Sequence, residues 1–138
     1  MTRDEFIENY KALCKHTGIN PADMHVVAGG SLLMHKLRSS TDDIDTTVTE
    51  ETYLKIKRAL KPWLYYEDPE HPSGVLVLSI GPFDIHLEQT ITDKIVMVEG
   101  VACQSLEDVL ALKLRLNREK DQEDIRKIKA VLAKQKQG

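Results

Sequence analysis

Two adjacent glycines behind a short apolar run, with an Asp-Ile-Asp one helix later, constrain this chain more than any other feature in it. Val26, Val27 and Ala28 predict a short apolar strand. Gly29 and Gly30 let the backbone turn tightly and lie close to something bulky. Ser31 is placed to cap a helix over Leu32–Leu37. Backbone N–H groups left free at such a helix start, with the helix dipole behind them, favour a phosphate. Eleven residues separate Ser31 from Asp43. In Asp43-Ile44-Asp45 the alternation of a strand puts both carboxylates on one face and Ile44 on the other. A phosphate cradle and a carboxylate pair, one helix apart, imply metal-assisted chemistry on a phosphate. A solvated acidic turn at Asp42, Asp43 and Asp45 is the plain alternative, and it leaves Gly-Gly-Ser unexplained.

The rest of the chain supplies a sheet for these stretches. Thr2 with Glu5 forms a capping-box pattern for a first helix, with Phe6, Tyr10, Leu13 and Cys14 at helical spacing and Gly18 as its stop. The second strand spans Asp43–Val48, and Thr49 caps a helix over Glu50–Leu60 that Pro62 ends. Trp63–Tyr66 reads as a short edge strand and Val75–Ile80 as a buried one. Phe83–Glu88 alternates, with Asp84, His86 and Glu88 on one face. Ile95–Val98 and Val101–Cys103 form a hairpin around Glu99-Gly100. Ser105 with Asp108 caps a Leu-rich helix to about Asn117, and a last helix spans about Asp121–Lys134. This order gives an α+β (α/β-like) domain, a mixed β-sheet flanked by helices.

A chain of 138 residues supports a single domain, 1–138, with a modest core. A net charge of −3 excludes a global basic field for nucleic acid. Cys14 and Cys103 lack metal-ligand spacing and read as reduced core thiols. No apolar run approaches transmembrane length, and Met1-Thr2-Arg3-Asp4-Glu5 is not a signal sequence. The expectation is therefore a cytoplasmic protein with no membrane partner.

Gly29-Gly30-Ser31 followed by Asp43-Ile44-Asp45 resembles the signature of the DNA polymerase β-like nucleotidyltransferase superfamily. That pattern is Gly-[Gly/Ser], a spacer, then Asp-hydrophobic-[Asp/Glu]. The run Gly29-Gly30-Ser31-Leu32-Leu33, then Arg38, Thr41 and Asp43-Ile44-Asp45, is similar to the small minimal nucleotidyltransferases and AbiE-type toxin-like proteins. The Arg38–Asp43 spacing is slightly longer than the commonest form. Phe83-Asp84-Ile85 has the hydrophobic-Asp-hydrophobic context of the third carboxylate. The stretches Ser105–Lys113 and Arg118–Asp124 also resemble those small proteins.

The resemblance implies a nucleotidyltransferase fold and a defined chemistry. Asp43, Asp45 and Asp84 would be catalytic and bind Mg²⁺, with Mn²⁺ as an alternative. Gly29, Gly30, Ser31, Arg38, Lys113 and Lys120 would bind a nucleoside triphosphate, with Asp121 and Asp124 ordering the end of the site. Lys113 stands among leucines on an apolar helix and wants a partner. The acceptor would be a small molecule, RNA or protein, with a homodimer groove or a partner protein as the place that binds it. The competing reading is a catalytically silent nucleotidyltransferase fold serving as a binding or regulatory module. A metal-dependent phosphohydrolase of unrelated fold is a third.

Overall fold

The computed structural model describes residues 1–88 and 94–137. In chain order the elements are α1 (Arg3–Thr17), β1 (His25–Val26), α2 (Ala28–Met34), β2 (Ile44–Val48), α3 (Glu50–Ala59), β3 (Tyr66–Asp68), β4 (Val77–Ile80), β5 (Phe83–Leu87), β6 (Ile95–Val98), β7 (Val101–Gln104), α4 (Leu106–Leu116) and α5 (Gln122–Gln137). The strands form one mixed sheet of seven, in the order β3-β4-β5-β2-β1-β7-β6. The pairs β2–β5 and β1–β7 are parallel and the others antiparallel. Among the described residues no helix is long and apolar enough to cross a membrane.

Local chemistry explains the helix ends. Glu5 N–H donates to Thr2 Oγ1 at 3.3 Å, and Thr2 N–H donates to Glu5 Oε1 at 2.9 Å, so the predicted capping box closes. Gly18 ends α1 at φ 73°. Asp108 N–H donates to Ser105 Oγ at 3.2 Å at the start of α4. Thr49 holds the cap position of α3 without a side-chain hydrogen bond. The edge strand is β3, which begins three residues later than expected, because Pro62–Leu64 folds into a 3₁₀ turn.

Strand alternation divides the sheet into an apolar and a polar face. Val26, Ile44, Val48, Phe83, Ile85 and Cys103 point into the main core with Phe6, Tyr10, Leu13 and Cys14 of α1 and Tyr53 and Ile56 of α3. Both cysteines are free and buried, as expected. A second cluster, Leu32, Leu106, Val109 and Ile128, joins α2, α4 and α5. The polar face, carrying Asp45, Thr47, Asp84 and His86, looks away from α1 and α3.

The glycine pair serves packing as much as turning. Both glycines lie inside the first turn of α2, and the left-handed residue at its start is Ala28, at φ 54°. A Cβ on Gly30 would stand 2.8 Å from Val26 Cγ1 and 2.9 Å from Phe6 Cζ. Gly30→Ala is therefore expected to lower the unfolding free energy by about 1–3 kcal/mol, the cost of overpacking. Urea denaturation of the two proteins measures it.

Candidate active site

The polar face gathers the carboxylates. β2 and β5 run parallel in a register that pairs Asp45 with Asp84. Neighbouring strands lie about 4.8 Å apart, so the two side chains stand next to each other. Asp43 is exposed just before β2, about 6–7 Å along the strand from Asp45. Burial raises the Asp45 carboxyl above its ordinary range. The neighbouring His86 opposes that rise, and the like charges of Asp84 and Asp43 add to it. Ser79 Oγ donates to Asp84 Oδ1 at 2.8 Å. His86 Nδ1 lies 3.0 Å from the Thr46 carbonyl, and its ring meets His71 edge-on at 5.4 Å. Among the described residues no three His, Cys, Asp or Glu side chains form a ready-made metal cluster.

The glycine cradle abuts this pair. Val27 N–H donates to the Asp45 carbonyl at 3.0 Å, which seats the start of α2 beside β2. A Cβ on Gly29 would fall 2.5 Å from Arg38 Nη1, so the guanidinium lies against that glycine. Thr41 Oγ1 is 3.9 Å from the same point and donates to the Asp43 carbonyl at 3.3 Å. Arg38 thus stands at the α2 N-terminus, where an anion would approach.

Ser31 behaves differently from expectation. The helix begins at Ala28 with Val27 in the cap position, so Ser31 lies a turn inside it and caps nothing. The residue is fully buried, and its hydroxyl donates to the Gln104 carbonyl at 2.6 Å. Gln104 Oε1 also accepts from Ala28 N–H at 3.2 Å. These bonds tie α2 to the end of β7 and leave Ser31 Oγ engaged.

Lys113 has found its partner within the chain. It is buried, with its ammonium 3.1 Å from Asp121 Oδ1 and 3.4 Å from Asp124 Oδ2. Asp121 accepts in turn from Arg118 Nε at 2.7 Å, and Asp124 from Arg38 Nη2 at 2.8 Å. The hydrogen bond from Arg118, with the Lys113 bond and both positive charges, holds the Asp121 carboxyl well below the usual range against its burial. Burial pushes Asp124 up, and Arg38 and Lys113 together pull it below the ordinary value. The ammonium expected to meet a phosphate is engaged by two carboxylates. Lys120 remains exposed, on the 3₁₀ turn Glu119–Asp121 before α5.

Between the polar face and α4 lies a cleft of about 410 Å³. Val27, Thr47, Glu88 and Gln104 line it from the sheet and Asp108, Ala111, Leu112 and Arg115 from α4. Among the described residues Thr47 Oγ1 is buried without a hydrogen-bond partner. The sequence reading had named none of Ser79, Thr47 and Arg115 as site residues. Only Ser79 left a signal: the Gly81-Pro82 turn pairs Ile80 with Phe83, and the next pair outward is Ser79 with Asp84.

No protein-family model and no curated protein matches the chain. Solved structures do. ANT(2'')-Ia in complex with adenylyl-2''-tobramycin superposes with a TM-score of 0.61 at 16% identity, covering 94% of this chain and 89% of that one. The solution structure of the antibiotic-resistance factor ANT(2'')-Ia superposes with a TM-score of 0.61 at 15% identity, covering 93% of this chain and 83% of that one. At such identity the likeness is one of fold. The mixed seven-stranded sheet flanked by helices is the nucleotidyltransferase fold, which this chain shares with ANT(2'')-Ia.

Proposed function

We propose that the chain is a divalent-metal-dependent nucleotidyltransferase that moves a nucleoside monophosphate from a nucleoside triphosphate to a hydroxyl of a small-molecule acceptor. One observation carries this reading: Asp45 and Asp84 stand in register on the open sheet face, joined through Val27 to the glycine start of α2. The donor set fits a hard cation. It is all carboxylate oxygen, and the charge on Asp45 is opposed by burial and by Asp84 and Asp43. In this reading Asp43, Asp45 and Asp84 hold Mg²⁺, or Mn²⁺, which neutralises phosphate charge when bound. Magnesium sites commonly combine one or two carboxylates with substrate phosphates, so a three-carboxylate cluster formed in advance is not required.

The chain's own groups do the positioning. Arg38 and the backbone N–H groups of Gly29 and Gly30 take the β and γ phosphates. Ser31 and Lys113 stay in their structural bonds. The acceptor oxygen bonds to the α-phosphorus as the bond to the pyrophosphate oxygen breaks, and the hydroxyl proton passes to Asp84 Oδ2. Ser79 occupies the other Asp84 oxygen and fixes the carboxylate's orientation. The cleft lined by Thr47, two residues along β2 from Asp45, has the size of a small-molecule site. The ligand named with ANT(2'')-Ia, adenylyl-2''-tobramycin, agrees with an acceptor of that class. RNA, the acceptor that a toxin-like subfamily reading brings, fits less well with Glu88 and Asp108 in the cleft and a net charge of −3.

Thermal unfolding with each of the four ribonucleoside triphosphates and Mg²⁺ tests this. Ligand at about a hundred times its dissociation constant adds roughly 2.7 kcal/mol of stability. The expected result is an upward shift with at least one nucleotide, abolished by chelating the metal and in Asp43→Asn/Asp45→Asn. No shift with any nucleotide would make the silent binding module the better reading.

A further inference from the structure

The charge chain behind the glycine cradle has a task that stability alone does not explain. A buried ion pair adds little over an apolar pair of the same volume. What is informative is where this one ends. We propose that Asp124, anchored by Lys113, is a positioning residue that fixes the Arg38 guanidinium against Gly29 and so sets the site's affinity for a polyphosphate. The inference rests on the nucleotidyl-transfer reading above.

Arg38 lies in the loop between α2 and β2, with its side chain 37% exposed. A loop arginine left free has rotamer entropy to lose on gripping an anion. Here the loss has already occurred, because Nη2 donates to Asp124 Oδ2 at 2.8 Å while Nη1 lies against Gly29. Asp124 cannot simply follow Arg38 outward. Its own oxygen is 3.4 Å from the Lys113 ammonium, which Asp121 holds at 3.1 Å. The anchor is therefore remote: α4 and α5 steady a side chain of the α2–β2 loop, 86 residues from Asp124 in sequence. The charges alternate from Arg118 through Asp121, Lys113 and Asp124 to Arg38, whose guanidinium is the end that lies beside the helix start.

Two measurements on the full chain decide this. The ¹⁵Nε–H signal of Arg38 reports whether the guanidinium is ordered, and calorimetry with inorganic tripolyphosphate and Mg²⁺ reports the affinity. Asp124→Asn keeps the shape and leaves Lys113 with Asp121. The expected result is an Arg38 signal collapsed onto the free-arginine position and a dissociation constant raised about tenfold, or roughly 1.4 kcal/mol. For nucleotide turnover, KM rises while kcat holds. Arg118→Gln, at the far end of the charge chain, is the control, and both readouts are expected to stay at wild-type values. An Arg38 signal unmoved in Asp124→Asn, or equal weakening in Arg118→Gln, overturns the proposal. A wild type that binds neither tripolyphosphate nor any nucleotide overturns the transfer reading itself, and with it the polyphosphate role of Arg38. A wild type that binds, with Asp124→Asn binding equally well, overturns this inference alone.

Discussion

Asp45→Asn is expected to lower nucleotide transfer by about two to three orders of magnitude while raising the melting temperature of the unliganded protein. The two effects have one cause. Burial and the charges of Asp84 and Asp43 raise the Asp45 carboxyl above its usual range, so the folded state disfavours the ionised form. Asparagine has the same shape and removes that repulsion, and it also removes the charge that would hold a cation. The sign with pH follows. A carboxyl raised on folding favours the fold at pH values below its unfolded pKa of about 3.9, and that contribution disappears as pH rises through the raised value. In Asp45→Asn this component of the pH dependence is absent. Denaturation midpoints from pH 3 to 8, with transfer assays at neutral pH, check both halves. A variant that is inactive and also less stable would assign Asp45 a structural role instead.

Lys113→Met is expected to produce the largest loss of stability of any single substitution considered. Removing one partner of a buried ion pair typically costs about 3–5 kcal/mol. Asp121 keeps Arg118 and Asp124 keeps Arg38, which places the cost at the lower end, about 3 kcal/mol. For a chain of this length that is a fall in melting temperature of roughly 10 °C. Adding Asp121→Leu, which makes the buried pair apolar, should restore much of the loss. Calorimetry of the wild type and the two variants reads this directly. The pH sign is opposite to that of Asp45. Asp121 and Asp124 are held below the usual carboxylate range, so their contribution is complete above about pH 4 and is lost as acid protonates them. Acid therefore loosens α4 against α5, while the Asp45 carboxyl on the sheet face favours neutralisation.

How much of this was legible beforehand depends on the range of the interaction. Thr2 and Glu5 cap α1 as read, because the capping box lies within four consecutive residues. The hairpin around Glu99-Gly100 and the alternation Phe83 to Leu87 appear where the pattern put them. The start of α2 was displaced by four residues. Ala28 takes the left-handed turn and β7 supplies the polar contacts that the helix start lacks, through Gln104, which lies 73 residues from Ser31. The burial of Lys113 was foreshadowed by its leucine neighbours. Its carboxylate partners were visible only once α5 was laid against α4.

The sequence by itself determined the local pieces: a glycine start to a helix, two carboxylates alternating on a strand, and helix ends written in Thr2, Ser105 and Gly18. Each follows from backbone sterics and from hydrogen bonds that reach a few residues. Tertiary structure alone decided what meets what. The parallel pairing of β2 with β5 set Asp84 beside Asp45, and the packing of α5 against α4 brought Asp124 to Arg38. Those contacts join residues far apart in the chain and depend on strand order and helix docking, which the pooled burial of the whole core selects and no local pattern encodes.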